Sequence, residues 1–139
     1  MKADPNTHDE VEAIIRKMSE AYKARNLKEV KACFAPDDDV SLVGTGADET
    51  RIGPGQIQEQ AERDWAHTEC IEMAFSRKRI SAAGSVAWVF ADGAFNVRAE
   101  GQAMTLPVRV SIVLEKRRDR WLIVHAHFST AAAAQERAG

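Results

Sequence analysis

The sequence has few cysteines, almost no excess of either charge and no long apolar run. Cys33 and Cys70 are its only cysteines, and because neither stands at a metal-ligand spacing we expect two reduced, buried thiols and no disulfide. The formal net charge is −2. Without a basic stripe, a nucleic-acid partner is not expected. No apolar run approaches the roughly 20 residues that a bilayer needs, and the acidic N-terminal segment is untypical of a secretory leader, which predicts a cytoplasmic protein without membrane contact.

Helical periodicity dominates the N-terminal half of the chain. Thr7 and Glu10 have the spacing of a capping box and predict a first helix over residues 8–25. Asn26 can cap a second, shorter helix, and Pro54 suits the first position of a third. Three helices are therefore expected before the C-terminal half.

From residue 69 onward the apolar residues repeat with a period of two, which is typical of half-buried strands. Turn signals at Gly84, at Gly101 and at Arg118 with Asp119 divide this half into four long strands, and residues 40–44 predict one short strand earlier. Strands joined in series after helices predict an α+β fold, a curved antiparallel sheet wrapped around the three helices. We expect one domain over residues 1–139, ordered from about 8 to 130 and frayed beyond it.

The last hairpin separates two kinds of side chain if its loop has three residues, because even-numbered residues of both strands then share one face. The expected inner face is wholly apolar: Val108, Val110, Ile112, Leu114, Leu122, Val124, Ala126 and Phe128. The other face is mixed: Arg109, Ser111, Val113, Trp121, Ile123, His125, His127 and Ser129. A face of that composition is too apolar for water, so we expect a second molecule or a polar pocket to cover it.

Two segments carry a family resemblance. Residues 117–129 read Arg-Arg-Asp-Arg-Trp-Leu-Ile-Val-His-Ala-His-Phe-Ser, and the segment from Gly53 to Trp65 begins Gly-Pro-Gly-x-Ile. Together with the order of elements, they resemble the SnoaL-like branch of the nuclear transport factor two and ketosteroid isomerase superfamily. The closing strand is also similar to the association domain of calcium/calmodulin-dependent kinase. The resemblance implies a conical cavity between helices and sheet, and commonly a dimer through the sheet's outer face.

The resemblance does not extend to the isomerase machinery. The tyrosine and two aspartates of those enzymes correspond to Met18, Leu42 and Val108 here, and none of these side chains can transfer a proton. The isomerase mechanism is therefore not expected. Because this fold hosts enzymes, binders and assembly modules alike, the resemblance predicts architecture more than chemistry.

Asp92 is the candidate acid or base, because apolar residues share its strand parity and burial would raise its pKa. The resemblance places it on the cavity side, near Trp65. In the alternative interpretation, Gly93 marks a bulge and Asp92 sits at a solvated kink. Tyr22 either directs its hydroxyl into the cavity or is a core tyrosine with a satisfied hydroxyl.

His125 and His127 point the same way on one strand, and with Arg109 and Ser129 they can either fill a dimer interface or grip an anion. No third ligand stands at a recognisable spacing, so no metal is expected.

The predicted function is binding of a small organic ligand in an apolar cavity by a homodimer, without a cofactor. The predicted cavity lining is Tyr22, Trp65, Trp88, Phe90, Ile112 and Phe128, with Asp92 as its polar point. One alternative is a cofactor-free cyclase, isomerase or dehydratase that uses Asp92. Another is an association module without catalysis.

Overall fold

The computed structural model describes residues 1–135 of the chain, so the fraying predicted for residues 131–139 lies partly outside it. The helices are α1 (Pro5–Lys23), α2 (Leu27–Ala32) and α3 (Pro54–Ala66). The strands are β1 (Ser41–Val43), β2 (Thr50–Ile52), β3 (Cys70–Ala83), β4 (Val86–Ala99), β5 (Gln102–Arg117) and β6 (Arg120–Ser129), and a short 3-10 turn follows at Ala133–Gln135.

The strands form one curved sheet in the order β2-β1-β6-β5-β4-β3. The long strands β3 to β6 pair antiparallel as consecutive hairpins. Strand β1 joins β6 in parallel, so the α2–β1 connection brings the short N-terminal hairpin to the edge of the C-terminal sheet. The α+β class and the curved sheet with N-terminal helices are confirmed.

Helix α1 begins earlier than the capping box predicts. The Asp4 side chain accepts a hydrogen bond from the Thr7 amide at 2.9 Å, and Pro5 occupies the first helical turn. Asp4 therefore accepts from the Thr7 amide, which the capping box assigns to the Glu10 side chain. An aspartate is as good an N-cap as a threonine. The helix consequently starts at Pro5, and Thr7 lies inside its first turn.

The core lies between α1 and the inner face of the sheet. Val11, Ile15 and Met18 of α1 are buried in the same cluster as Val89 and Ile112 of the sheet. Their positions follow the i, i+4, i+7 spacing of an amphipathic helix, so the sequence pattern directly predicts the packed side of α1.

The final hairpin corrects the predicted parity. Its turn has two residues, since Arg117 pairs with Arg120, and a bulge at Val124 then shifts the register. The face exchange covers only the part of β6 near the turn, where Trp121 and Ile123 are 3% and 0% exposed. Leu122 and Val124, expected inside, are only half-buried. The predicted loop was therefore wrong, and the bulge restores the expected faces from His125 onward.

The buried Trp121 also ties the hairpin to α1, because its indole Nε1 donates to Glu10 Oε1 at 3.0 Å. Both cysteines are unpaired, but Cys70 is exposed rather than buried as predicted. None of the helices within residues 1–135 combines the length and apolarity that a membrane-spanning helix requires.

Candidate functional site

A cavity of about 190 Å³ lies between the three helices and the inner face of the sheet. Most of its wall is apolar, and it includes Met18, Val30, Phe34, Met73, Phe95 and Phe128. The rings of Phe95 and Phe128 lie 5.4 Å apart between centroids and close one side. Such a wall favours a compact apolar molecule.

One end of the cavity is polar and is built around Asp64. Tyr22 Oη donates to Asp64 Oδ2 at 2.7 Å, and Gln60 Nε2 donates to Asp64 Oδ1 at 2.8 Å. The same Gln60 amide also lies 3.4 Å from Glu49 Oε2. Arg51 Nε donates to Gln60 Oε1 at 2.8 Å, which fixes the amide so that its NH₂ group faces the two carboxylates.

Burial dominates the electrostatics of this end. It raises the pKa of the Asp64 carboxyl above the ordinary value, although the hydrogen bonds from Tyr22 and Gln60 act in the opposite direction. Burial also raises the pKa of the Tyr22 phenol far above its usual range, and the neighbouring Asp64 carboxylate adds to this shift. Tyr22 therefore stays a hydrogen-bond donor at any physiological pH, while Asp64 can take up a proton.

Helix α3 positions Gln60 and Asp64 because both occupy its inward stripe. Ile57, Gln60, Ala61 and Asp64 follow the i, i+3, i+4, i+7 spacing, and Ile57, Gln60 and Ala61 are buried. The sequence reasoning missed Gln60, Asp64 and Glu49. The available signal was a pair of polar residues at positions where an amphipathic helix ordinarily carries apolar ones.

Trp65 holds Tyr22 from behind instead of lining the cavity. Its indole Nε1 donates to the Tyr22 carbonyl at 3.0 Å, and the two rings are 5.9 Å apart. Arg25 braces the same corner, since its Nη2 donates to the Thr68 carbonyl at 2.8 Å. These contacts fix the phenol so that its hydroxyl reaches Asp64.

Of the other residues predicted to line the cavity, some lie at or beside it and some lie on the outer face of the sheet. Tyr22 and Phe128 line the cavity, and Ile112 is 1% exposed within the core cluster beside it. Trp88 and Phe90 do not line it. Strand β4 turns Ala87, Val89 and Ala91 inward, with exposures of 0%, 2% and 1%, so its intervening residues face outward.

Asp92 shares that outward parity, so its predicted place at the cavity is wrong. Its side chain is 42% exposed and pairs with Arg77 at 3.0 Å. The register shift that accompanies this pair lies on β3, between Ser76 and Arg79, and not at Gly93. Gly93 is required because a Cβ there would lie 2.7 Å from the Ala74 carbonyl oxygen.

The outer face of the sheet brings together the histidines and the misplaced aromatics. In one row, Trp88 pairs with Val113, which pairs with His125; in the next, Phe90 pairs with Ser111 and then His127. A third row joins Asp92, Arg109 and Ser129. We call these nine residues the outer patch.

Within the outer patch, His125 is tied to β1 by a 2.7 Å hydrogen bond between its Nδ1 and Ser41 Oγ. Burial lowers the pKa of His125, and the adjacent His127 lowers it further. Arg109 donates to the Thr130 carbonyl at 3.3 Å. Across residues 1–135, no three His, Cys, Asp or Glu side chains cluster in a way that could hold a metal ion.

The curved sheet, the helical cover and the cavity between them define a cone-shaped α+β protein. The profile of the SnoaL-like domain matches residues 11–133, and the chain belongs to that family. Among curated proteins, none matches the chain significantly.

Solved structures of the same fold include a nuclear transport factor 2-like superfamily protein from Salmonella enterica, with 21% identity, coverage of 99% of both chains and a TM-score of 0.86. A proposed dehydratase of that family from Streptomyces avermitilis shares 20% identity over 93% of this chain and 100% of its own, with a TM-score of 0.83. A proposed calcium/calmodulin-dependent kinase II association domain from Xanthomonas campestris shares 23% identity over 89% of this chain and 87% of its own, with a TM-score of 0.78. At these identities the likeness concerns the fold.

Proposed function

We propose that the chain binds a small, mostly apolar organic molecule in the cavity, with Asp64 as the polar anchor. The observation that carries this proposal is the convergence of Tyr22 and Gln60 on one carboxylate at the end of an apolar cavity. A half-buried carboxylate in a structural role would be expected to pair with a cation, and the hydrogen-bond partners of Asp64 are two neutral donors instead. The two hydrogen bonds hold the Asp64 side chain in place, and its position in the cavity wall lets it contact a ligand, as a polar anchor requires.

Indole is a suitable probe, because it is small, apolar and carries one N–H donor. Its binding is measured by calorimetry to the wild type, to Ala61→Phe and to Asp64→Asn. Filling the cavity with Ala61→Phe is expected to abolish binding, and Asp64→Asn is expected to weaken it by about threefold to tenfold through the hydrogen bond. Asp9→Asn, an identical change on the exposed side of α1, is the matched control. Equal binding to the wild type and Ala61→Phe would remove the cavity from the proposal.

The raised pKa of Asp64 favours a second candidate, cofactor-free proton transfer. In this reaction the Asp64 carboxylate takes a proton from one atom of the ligand and returns it to another, as an isomerase or dehydratase requires. Tyr22 remains protonated throughout and stabilises the carboxylate. The proposed dehydratase from Streptomyces avermitilis is consistent with this class. Asp64 replaces Asp92 here as the candidate catalytic residue.

Exchange of the α-protons of cyclohexanone with deuterated water tests this candidate without knowledge of the substrate. Asp64 would remove one α-proton, exchange it with solvent and return a deuteron to the same carbon. We expect the wild type to catalyse this exchange, and we expect the exchange rate to fall by about 10² to 10⁴-fold in Asp64→Asn. Proton NMR measures the rate. A wild-type rate equal to that of buffer would reject Asp64 as a base toward ketones and leave the binding proposal intact.

The outer patch supports a homodimer in the same proposal. Phe90 is 50% exposed among Trp88, Val113 and the imidazoles. The patch also carries both signs of charge, Asp92 and Arg109, so a second copy related by a twofold axis can pair each charge with its opposite. The resemblance in fold to the proposed association domain is consistent with such self-assembly.

Phe90→Asp is expected to convert the dimer to a monomer in sedimentation velocity, because it places a charge at the centre of the contact. Met104→Asp is the control, since Met104 is 63% exposed but lies on the opposite face of β5 from the outer patch. A wild-type monomer at high concentration would refute the dimer. A monomeric Phe90→Asp that still binds indole would distinguish a ligand-binding protein from an association module.

A further inference from the structure

The charges around the cavity are asymmetric. Two carboxylates, Asp64 and Glu49, lie in its wall, whereas no lysine, arginine or histidine within residues 1–135 lines it. Arg51 is the cation of the adjoining network, and it contacts the site through Gln60 without entering the lining. Arg63 of α3 is engaged outside the cavity, with Asp48 at 3.0 Å.

The hydrogen-bonding groups at the polar end are equally one-sided. Gln60 uses its NH₂ group on Asp64 and Glu49, and Tyr22 uses its hydroxyl hydrogen on Asp64. The lone pairs that remain on the two carboxylates and on the phenol oxygen are acceptors. An incoming polar group therefore finds mainly acceptors and negative charge, with the Thr45 hydroxyl as a neutral group that can also donate. An anion would lose its hydration without gaining a cation from the described lining.

The aromatic rings in the apolar wall also favour a cationic ligand group. Phe34, Phe95 and Phe128 present aromatic surface in the same cavity as the carboxylates. Aromatic faces attract cations through their quadrupoles, most strongly where water is excluded.

We propose that the cavity selects ligands whose polar group is a hydrogen-bond donor, above all a protonated amine attached to a compact apolar body, and that it rejects organic anions such as carboxylates. This inference rests on the proposed function in that it requires the cavity to bind a ligand. It is independent of whether Asp64 also transfers a proton.

Benzylamine, benzyl alcohol and benzoate test the selection, because the three share one apolar body and differ in the charge of the polar group. Calorimetry at neutral pH and low salt is expected to rank them in that order, with benzylamine on the order of tenfold tighter than benzyl alcohol. In Asp64→Asn the advantage of benzylamine should shrink, and the Glu49 carboxylate accounts for what remains. Asp9→Asn should retain the advantage, which separates the cavity from attraction by the net charge of the protein.

The outcomes divide cleanly between this inference and the function beneath it. Benzyl alcohol bound as tightly as benzylamine, or benzoate bound more tightly than either, would overturn the selection while leaving a ligand-binding cavity. An amine preference that Asp64→Asn leaves undiminished would also overturn it. Failure of all three probes, together with failure of indole, would remove the ligand-binding function itself.

Discussion

The two faces of strand β4 differ in the size and burial of their side chains. The inner face carries the small side chains Ala87, Val89 and Ala91, and the outer face carries Trp88 and Phe90. These small residues belong to the same buried cluster as Val11, Ile15 and Met18 of α1. On this part of β4, the size of an apolar side chain therefore does not indicate which face is buried.

The same contrast holds for the acidic residues of the two regions. Asp64 lies in the cavity, held by Tyr22 and Gln60, and burial raises its pKa. Asp92 lies on the outer face, 42% exposed and paired with Arg77. Local sequence makes Asp92 the better candidate, since it is surrounded by apolar residues of its own parity. Tertiary structure makes Asp64 the chemically distinctive one.

The largest effect is expected from an inner-face truncation. Leu114 on β5 is 0% exposed, and Leu114→Ala should lower the free energy of unfolding by about 2–5 kcal/mol through lost burial and the remaining cavity. Met104→Ala, on the exposed end of the same strand, should change it by less than about 0.5 kcal/mol. Guanidinium unfolding measures both. Similar losses for the two variants would contradict the division of β5 into a packed and an exposed part.

An intermediate effect is expected from the ionisation of Asp64. Its pKa is higher in the folded protein than in the unfolded chain, so its contribution to stability is present below the ordinary aspartate pKa and is lost as pH rises through the folded value. The stability of the wild type relative to Asp64→Asn should therefore fall as the pH rises from below the ordinary aspartate pKa through the raised pKa of the folded protein. Thermal unfolding across that range measures the difference. A difference that rises with pH would mean that Asp64 is stabilised in its charged form.

The smallest effect is expected from Asp92→Asn, the same substitution on the other face. It breaks one exposed ion pair with Arg77, and affinity for indole should remain within about twofold of the wild type. Calorimetry in parallel with Asp64→Asn sharpens the contrast between the two carboxylates. Loss of indole binding in Asp92→Asn would place the functional carboxylate on the outer face after all.

Local patterns in the sequence predicted much of the fold. Asn26, Pro54 and the turn at Gly101 lie where a cap, a helix start and a hairpin turn were expected. Gly53, with φ of 85°, takes the backbone conformation that precedes Pro54 in the third helix. Each of these features depends on a few neighbouring residues, and for that reason the sequence reveals them.

The errors lie where distant parts of the chain meet. The two-residue turn places Trp121 on the inner face, where it contacts Glu10 of α1, and the bulge at Val124 then restores the expected faces. The candidate site joins Tyr22 to Asp64 across 42 positions of sequence. Neither arrangement has a local signature, although the polar residues on the inward stripe of α3 indicated one half of the site.

The sequence by itself determined the helices, the long strands and the fact that the sheet has two chemically different faces, because these depend on periodicity and on short-range backbone preferences. Only the tertiary structure decided which face of β4 turns inward and which carboxylate reaches the cavity. The physical reason is that alternation along a strand places successive side chains on opposite faces but does not determine which face is buried. The packing of α1 against the sheet determines that.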